Sequence, residues 1–168
     1  LSGTRGEILD RNGNVLAGNR SVYNVVYNKL YWDADNRNAD LLEAVKLLES
    51  IGEEWVDRLP IEVSLAGTYF FSENSEKEIE FLRSDDFLSL EDNASAEECM
   101  KKLIRRYGAD DMGSPADIRR TVAARYNLER SYFSRTNPCV IAKDISIETV
   151  KSLSERLGGM PGVESRVE

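Results

Sequence analysis

Arg5-Gly6-Glu7-Ile8-Leu9-Asp10-Arg11-Asn12-Gly13-Asn14-Val15-Leu16-Ala17 sets two short apolar runs on either side of an Asn-Gly dipeptide. Asn-Gly readily supplies the positive φ angles of a tight turn, so residues 7–17 are expected to form a β-hairpin. Gly6 lets the backbone bend or pass close to a neighbour. Arg5 offers a planar five-donor fork to a carboxylate elsewhere in the fold. Neither role implies chemistry. The next run, Val22-Tyr23-Asn24-Val25-Val26-Tyr27, has the β-branched and aromatic composition of a half-buried strand.

Beyond this β segment the pattern changes period. Asp33 to Asn38 is polar, then Leu41, Leu42, Val45, Leu48 and Ile51 recur at helical spacing and Gly52 closes the run. Ser95 with Glu98 three residues later makes a capping box. It opens a helix that carries Cys99, Met100, Leu103, Ile104 and Tyr107 on one side and stops at Gly108. Ser114-Pro115 starts another, with Ile118, Val122 and Tyr126 inward. A fourth follows Ser146 through Ile147, Val150, Leu153 and Leu157 to Gly158-Gly159. Cys139-Val140-Ile141-Ala142 and Val163 to Val167 read as strands on either side of that last helix, the second reached through Pro161-Gly162. Residues 53–93 carry aromatic patches at Tyr69-Phe70-Phe71 and Phe81 to Phe87 between polar stretches, with no single period. No repeat or low-complexity tract occurs.

The 168 residues are 41% hydrophobic and 31% charged, enough for a packed core in one unit or two small ones. A net charge of −8 repels phosphate backbones and anionic lipid, which argues against nucleic acid as a partner. No apolar run approaches the ~20 residues of a membrane-spanning helix, and the start lacks a signal-peptide pattern. The chain begins at Leu1 rather than Met and reads as a piece of a longer protein. Two cysteines are too few for a disulfide framework. Cys99 falls on an apolar helical stripe and reads as a small buried hydrophobe, a disulfide with Cys139 being the alternative. With no histidine and no C-x-x-C, zinc has no ligand set.

The opening run resembles the RGxIxDRNGxxLA signature that begins the non-catalytic region of class B penicillin-binding proteins, the transpeptidases that cross-link bacterial peptidoglycan. Its specified positions are matched by Arg5, Gly6, Ile8, Asp10, Arg11, Asn12, Gly13, Leu16 and Ala17. The stretch Val140 to Ser146 and Met160 to Glu164 resembles the segment closing the head of the same region. The resemblance implies an α+β fold: a short antiparallel β pedestal segment, hairpin plus strand, in residues 1–30, and a mixed α/β helical head in residues 31–168. It implies a structural and interdomain role for the nine motif residues, and no cofactor. As partners it implies the parent's own transpeptidase domain, a polytopic glycosyltransferase of the division or elongation machinery, and a possible homodimer. It also implies a membrane anchor upstream, on the extracytoplasmic face of the cytoplasmic membrane. The later pedestal strands of the family do not follow before Glu168, so the pedestal is expected to be incomplete and its hairpin edge open to association.

The residues needed for catalysis in that family are missing from this stretch. Penicilloyl-serine transfer uses S-x-x-K, S-x-N and K-T-G elements. The sequence contains neither S-x-x-K nor K-T-G, and its one S-x-N, Ser72-Glu73-Asn74, is a pattern expected by chance in a polar loop. Without histidine, a Ser-His-Asp or Cys-His arrangement cannot be built. Three acidic pairs, Glu53-Glu54, Asp85-Asp86 and Asp110-Asp111, are the candidates for a two-carboxylate glycosidase site, though adjacent acids in such a chain are usually solvated. Asp10 to Asn14 and Asp33 to Asp35 begin like calcium loops but lack the required Gly and Glu. No glycine-rich phosphate loop opens a helix. The cations Lys101, Lys102, Arg105, Arg106, Arg119, Arg120 and Arg125 are expected to form a solvated face tied by intrahelical pairs to Glu97 and Glu98, the alternative being a docking surface for an acidic protein. Trp32, Trp55 and Tyr69-Phe70-Phe71 are read as core or seam. The rival functions are an independent extracellular adhesion module and, less favoured, a carboxylate-dependent glycosidase.

Overall fold

Tyr23, Val25 and Tyr27 alternate onto one face of a strand, β3 (Tyr23–Tyr27), and Val25 and Tyr27 are fully buried there. The structure, a computed structural model, describes residues 8–12, 15–17, 23–31, 35–157 and 162–167. Arg5, Gly6, Gly13, Trp32, Gly158, Gly159 and Pro161 lie outside the described residues. β1 (Ile8–Leu9) and β2 (Val15–Ala17) precede β3 and form the expected hairpin, antiparallel, with Ile8 opposite Ala17. Leu9 pairs with Val15, and the described residues 10–12 lie beyond β1 rather than in a ladder, so the pairing ends earlier than a two-residue Asn-Gly turn suggests. Asp10 takes part in that turn: its Oδ1 accepts from the Asn12 amide at 2.7 Å.

β3 is the centre of a three-stranded antiparallel sheet between β6 (Cys139–Ile145) and β7 (Val163–Val167), both close to the strands expected from sequence. A bulge displaces the β3–β6 register on either side of Val25. α5 (Ile147–Leu157) connects β6 to β7, the strand-helix-strand order the pattern predicts. A short 3₁₀ turn, Lys29–Tyr31, leads from β3 to α1 (Arg37–Ser50). α1 starts ahead of its apolar spacing because its first turn, Arg37 to Asp40, is polar and shows no period.

The middle of the sequence, residues 53–93, which shows no single period, forms another two-stranded sheet and a further helix. β4 (Ile61–Val63) and β5 (Tyr69–Phe71) form an antiparallel hairpin, followed by α2 (Glu76–Arg83). Tyr69 and Phe71 pack inward while Phe70 faces solvent, an alternation that three successive aromatics conceal. At the hairpin tip Gly67 has φ +84°, and a Cβ there would lie 3.0 Å from Pro115 Cγ, so the tip can fold onto α4 only with glycine. α2 spans eight residues with Leu82 alone fully buried, and Ser75 makes no side-chain cap bond, so it leaves almost no helical signature.

α3 (Ala96–Tyr107) and α4 (Pro115–Arg130) complete an α+β fold. Their boundaries obey local chemistry. Ser95 Oγ accepts from the Glu98 amide while the Glu98 carboxylate accepts from the Ser95 amide at 2.8 Å, and Gly108 ends the helix in the left-handed conformation at φ 60°. Ser95→Ala is expected to lower stability by about 1 kcal/mol and Ser95→Gly by a few tenths, read from urea midpoints.

Two apolar clusters make up the core, and α4 serves both. Its Ala124 and Leu128 join α1, α5 and the three-stranded sheet around Tyr27, Leu48 and Ile145. Its Val122, Ala123 and Tyr126 join α3, α2 and β4 around Ile61, Met100 and Leu103. Trp55 packs against both clusters and donates Nε1 to Glu49 at 3.1 Å, so the seam expected of it is found.

Candidate functional site

Helices α3 and α4 carry the cations expected on a solvated face, but most of them are spent on holding elements together. Arg119 is 7% exposed and grips β4 from within: its Nε donates to the Ile61 carbonyl at 2.8 Å, Nη2 reaches the Leu59 carbonyl and Glu62, and Nη1 pairs with Asp57. This is a correction to the solvated-face expectation. Its reason is visible in the spacing, since Arg119 stands one residue from Ile118 and three from Val122, on the shoulder of the inward stripe. The outward carbonyl of β4 needs a donor, and the guanidinium fork supplies it.

The neighbouring cations follow the same rule. Arg120 reaches across to Glu49 of α1 at 2.9 Å and back to Asp117 at 3.2 Å. Arg125 donates to Asn38 Oδ1 at 2.9 Å and lies over the Tyr107 ring, and Asn38 in turn donates to the carbonyls of Tyr107 and Gly108 at the end of α3. Lys102 caps the carbonyls of Leu88 and Ser89. The intrahelical pairing expected with Glu97 and Glu98 is replaced: Glu98 turns back on Ser95, and Glu97 accepts from the Tyr69 amide on β5 at 2.8 Å. Both carboxylates find backbone amides, which hold them better than flexible exposed cations do. Lys101 and Arg105 remain on the exposed side of α3, beside Tyr69 and Asp110 in a shallow groove.

Glu129 closes the most compact of these clusters. Arg106 embraces its carboxylate through Nη2 and through Nε at 3.2 Å, and the Tyr107 hydroxyl donates at 2.6 Å. Burial pushes this carboxyl up, but the hydrogen bonds from Arg106 and Tyr107 and the charges of Arg106 and Arg125 outweigh it. The group is held below the ordinary glutamate value of 4.5. A folded-state value below the unfolded one means that the contribution is present above pH 4.5 and disappears as the pH falls through the folded value. Glu129→Gln is therefore expected to destabilise at neutral pH and to converge with the wild type in acid. Urea midpoints at about pH 7 and about pH 3 test it, and a gap that stays constant would contradict the assignment.

The candidate chemistry weighed from sequence does not assemble. Glu53 accepts from Thr149 Oγ1 at 2.7 Å, Glu54 is exposed in the irregular stretch after α1, and Asp85, Asp86, Asp110 and Asp111 are exposed on turns. Ser72 of the S-x-N triplet donates to Glu62, and Asn74 sits at φ 55° in a turn. The acidic residues that do converge are Asp57 and Glu62, which sequence reasoning passed over because they are not adjacent. They line a groove of about 710 Å³ with Arg58, Lys77, Glu78 and Arg130. Burial pushes the Asp57 carboxyl above the usual aspartate value, and the charge and hydrogen bond of Arg119 offset part of that rise. Both carboxylates are committed to Arg119, so this pair fixes β4 to α4. Cys99 and Cys139 are free, buried in different clusters, and burial pushes both thiols up, away from the reactive thiolate. Among the described residues no group of three His, Cys, Asp or Glu side chains could hold a metal ion, and no helix is long and apolar enough to cross a membrane.

Of the nine motif residues, Ile8, Asp10, Arg11, Asn12, Leu16 and Ala17 fall in the described hairpin. Arg11 and Asn12 stand exposed at its turn. Among the described strands neither β1 nor β2 pairs beyond the other. A family model described as the penicillin-binding protein dimerisation domain matches residues 1–168, the whole chain. No curated protein matches the chain.

Proposed function

Because this chain belongs to the penicillin-binding protein dimerisation-domain family, we propose that it is the scaffold of a peptidoglycan transpeptidase in bacterial cell-wall synthesis, positioning a downstream penicillin-binding domain. The observation that carries this is the match over the whole length, which makes the chain a non-catalytic module of a penicillin-binding protein. The lack of S-x-x-K and K-T-G in the sequence supports assigning the acyl-transfer chemistry to another part of the parent chain.

In this reading residues 1–30 are the pedestal strands, residues 31–168 the head, and the nine motif residues hold the interdomain junction. β3 supports a tie between the two, because this strand of residues 1–30 runs as the central strand between β6 and β7 of residues 31–168. The parent acts on the extracytoplasmic face of the cytoplasmic membrane, anchored by an upstream helix. Its partners are its own transpeptidase domain, a polytopic glycosyltransferase of the division or elongation machinery, and a second copy of itself.

The test separates positioning from chemistry. In the parent chain, Arg11→Glu and Asn12→Ala are expected to leave acylation by a fluorescent penicillin within about twofold, since an exposed turn residue does not touch the serine. The same variants are expected to fail to complement a strain depleted of the parent. Loss of acylation together with function would instead place the motif in the catalytic unit, and full complementation would remove the scaffold role from these residues.

A further inference from the structure

Among the described residues no strand pairs with the outer edge of β7. The ladder to β3 fixes which backbone groups that edge offers. The Asn28 amide donates to the Gly162 carbonyl at 2.7 Å, and the register continues as Val26 with Glu164 and Asn24 with Arg166. Antiparallel pairs alternate between bonded and non-bonded, so these are the pairs that exchange hydrogen bonds with β3. The amides and carbonyls of Val163, Ser165 and Val167 therefore point away from β3, toward the open edge.

The sequence along that edge complements itself. Val163-Glu164-Ser165-Arg166-Val167, run antiparallel against a second copy about a two-fold at Ser165, sets Val163 against the partner's Val167 and Glu164 against the partner's Arg166, twice over. It also sets Ser165 against Ser165 at a position whose backbone groups face outward, as a bonded pair requires. The two neighbouring symmetric registers are disfavoured by charge, because centring on residue 164 opposes two glutamates and centring on 166 opposes two arginines. Within one copy Glu164 and Arg166 already lie 3.4 Å apart on the same face. On the other face Val163 packs against the core beneath the sheet while Val167 is 65% exposed. Pairing lays that exposed valine beside the partner's Val163 and extends the apolar face.

We infer that β7 is the self-association surface of this chain, joining two copies through a β7–β7 ladder into one six-stranded antiparallel sheet. The inference rests on the self-association implied for this family and adds the surface, the symmetry and the register. The occupant is a second copy because the charge order of the strand selects its own antiparallel image.

Sedimentation velocity over a concentration series, on the chain of residues 1–168, tests it with three variants. Ser165→Pro removes an amide that β3 does not use, so the fold is retained by circular dichroism while dimerisation weakens by about tenfold or more. Glu164→Arg and Arg166→Glu each oppose like charges in a homodimer and weaken it by about tenfold. Mixing the two restores both opposite-charge pairs, and the mixture is expected to dimerise as heterodimers at near wild-type strength. A wild-type dimer that all three variants leave unchanged overturns the β7 assignment while sparing self-association by another surface. A wild type that stays monomeric at every concentration overturns both, and variants that dissociate without rescue on mixing overturn the register.

Discussion

Arg119→Ala is expected to destabilise the protein by about 3 kcal/mol, the order of magnitude for breaking a largely buried ion pair by removing one partner. The loss comes less from the missing attraction than from what stays behind. Asp57 keeps a carboxyl pressed into the protein, and the outward carbonyl of Ile61 loses its donor. Arg119→Lys is expected to recover only part of the loss, since one ammonium cannot span the Ile61 carbonyl and two carboxylates at once. Adding Asp57→Ala to Arg119→Ala is expected to cost much less than the sum of the single changes, because the second change removes the stranded group. Chemical denaturation of the four proteins measures this. A single-mutant cost near the 0–1 kcal/mol of an exposed pair would show that Arg119 does not hold β4 to α4.

Tyr126→Ala is expected to cost about 3–5 kcal/mol, the range for deleting a fully buried aromatic ring. The ring meets Phe87 edge-on at 5.5 Å between centroids and is 1% exposed. Its helix serves both clusters, so the damage should not stay local. Tryptophan fluorescence and far-ultraviolet circular dichroism are expected to shift together in one transition. Tyr126→Phe, which keeps the ring contact, should lose no more than about 1.5 kcal/mol. Separate transitions for the two probes would mean that the clusters fold independently.

What was legible in the sequence was whatever is decided locally. The capping box at Ser95, the proline after Ser114 and the glycine at 108 act within one helical turn, and each helix edge they predict is found. The apolar run Cys139 to Ala142 announces a strand, which the structure carries on to Ile145, and Val163–Val167 is the strand expected after Pro161-Gly162. The hairpin was legible for the same reason, although Asp10 joins the turn by accepting from the Asn12 amide. Residues 53–93 resisted reading because their order is imposed from outside. β4 is held by a guanidinium from α4, β5 by a carboxylate from α3, and α2 has one fully buried residue to signal its face. The cation network was misjudged for a related reason. A charge pattern reports spacing along one helix, whereas Arg119, Arg120 and Arg125 find partners on other elements, 57 to 87 positions away in sequence. The motif residues mark membership in a family without exposing chemistry, since a turn and two short strands have no reactive group to display.

The central claim is that this chain is the non-catalytic module of a penicillin-binding protein and that acyl transfer belongs to the rest of the parent. The most direct measurement is covalent labelling by a fluorescent penicillin of residues 1–168 beside the parent chain. The account predicts that the parent is acylated and residues 1–168 are not. Labelling of residues 1–168 would contradict the absence of a nucleophile in them, and a parent that resists acylation where a known transpeptidase is labelled would contradict the scaffold function itself.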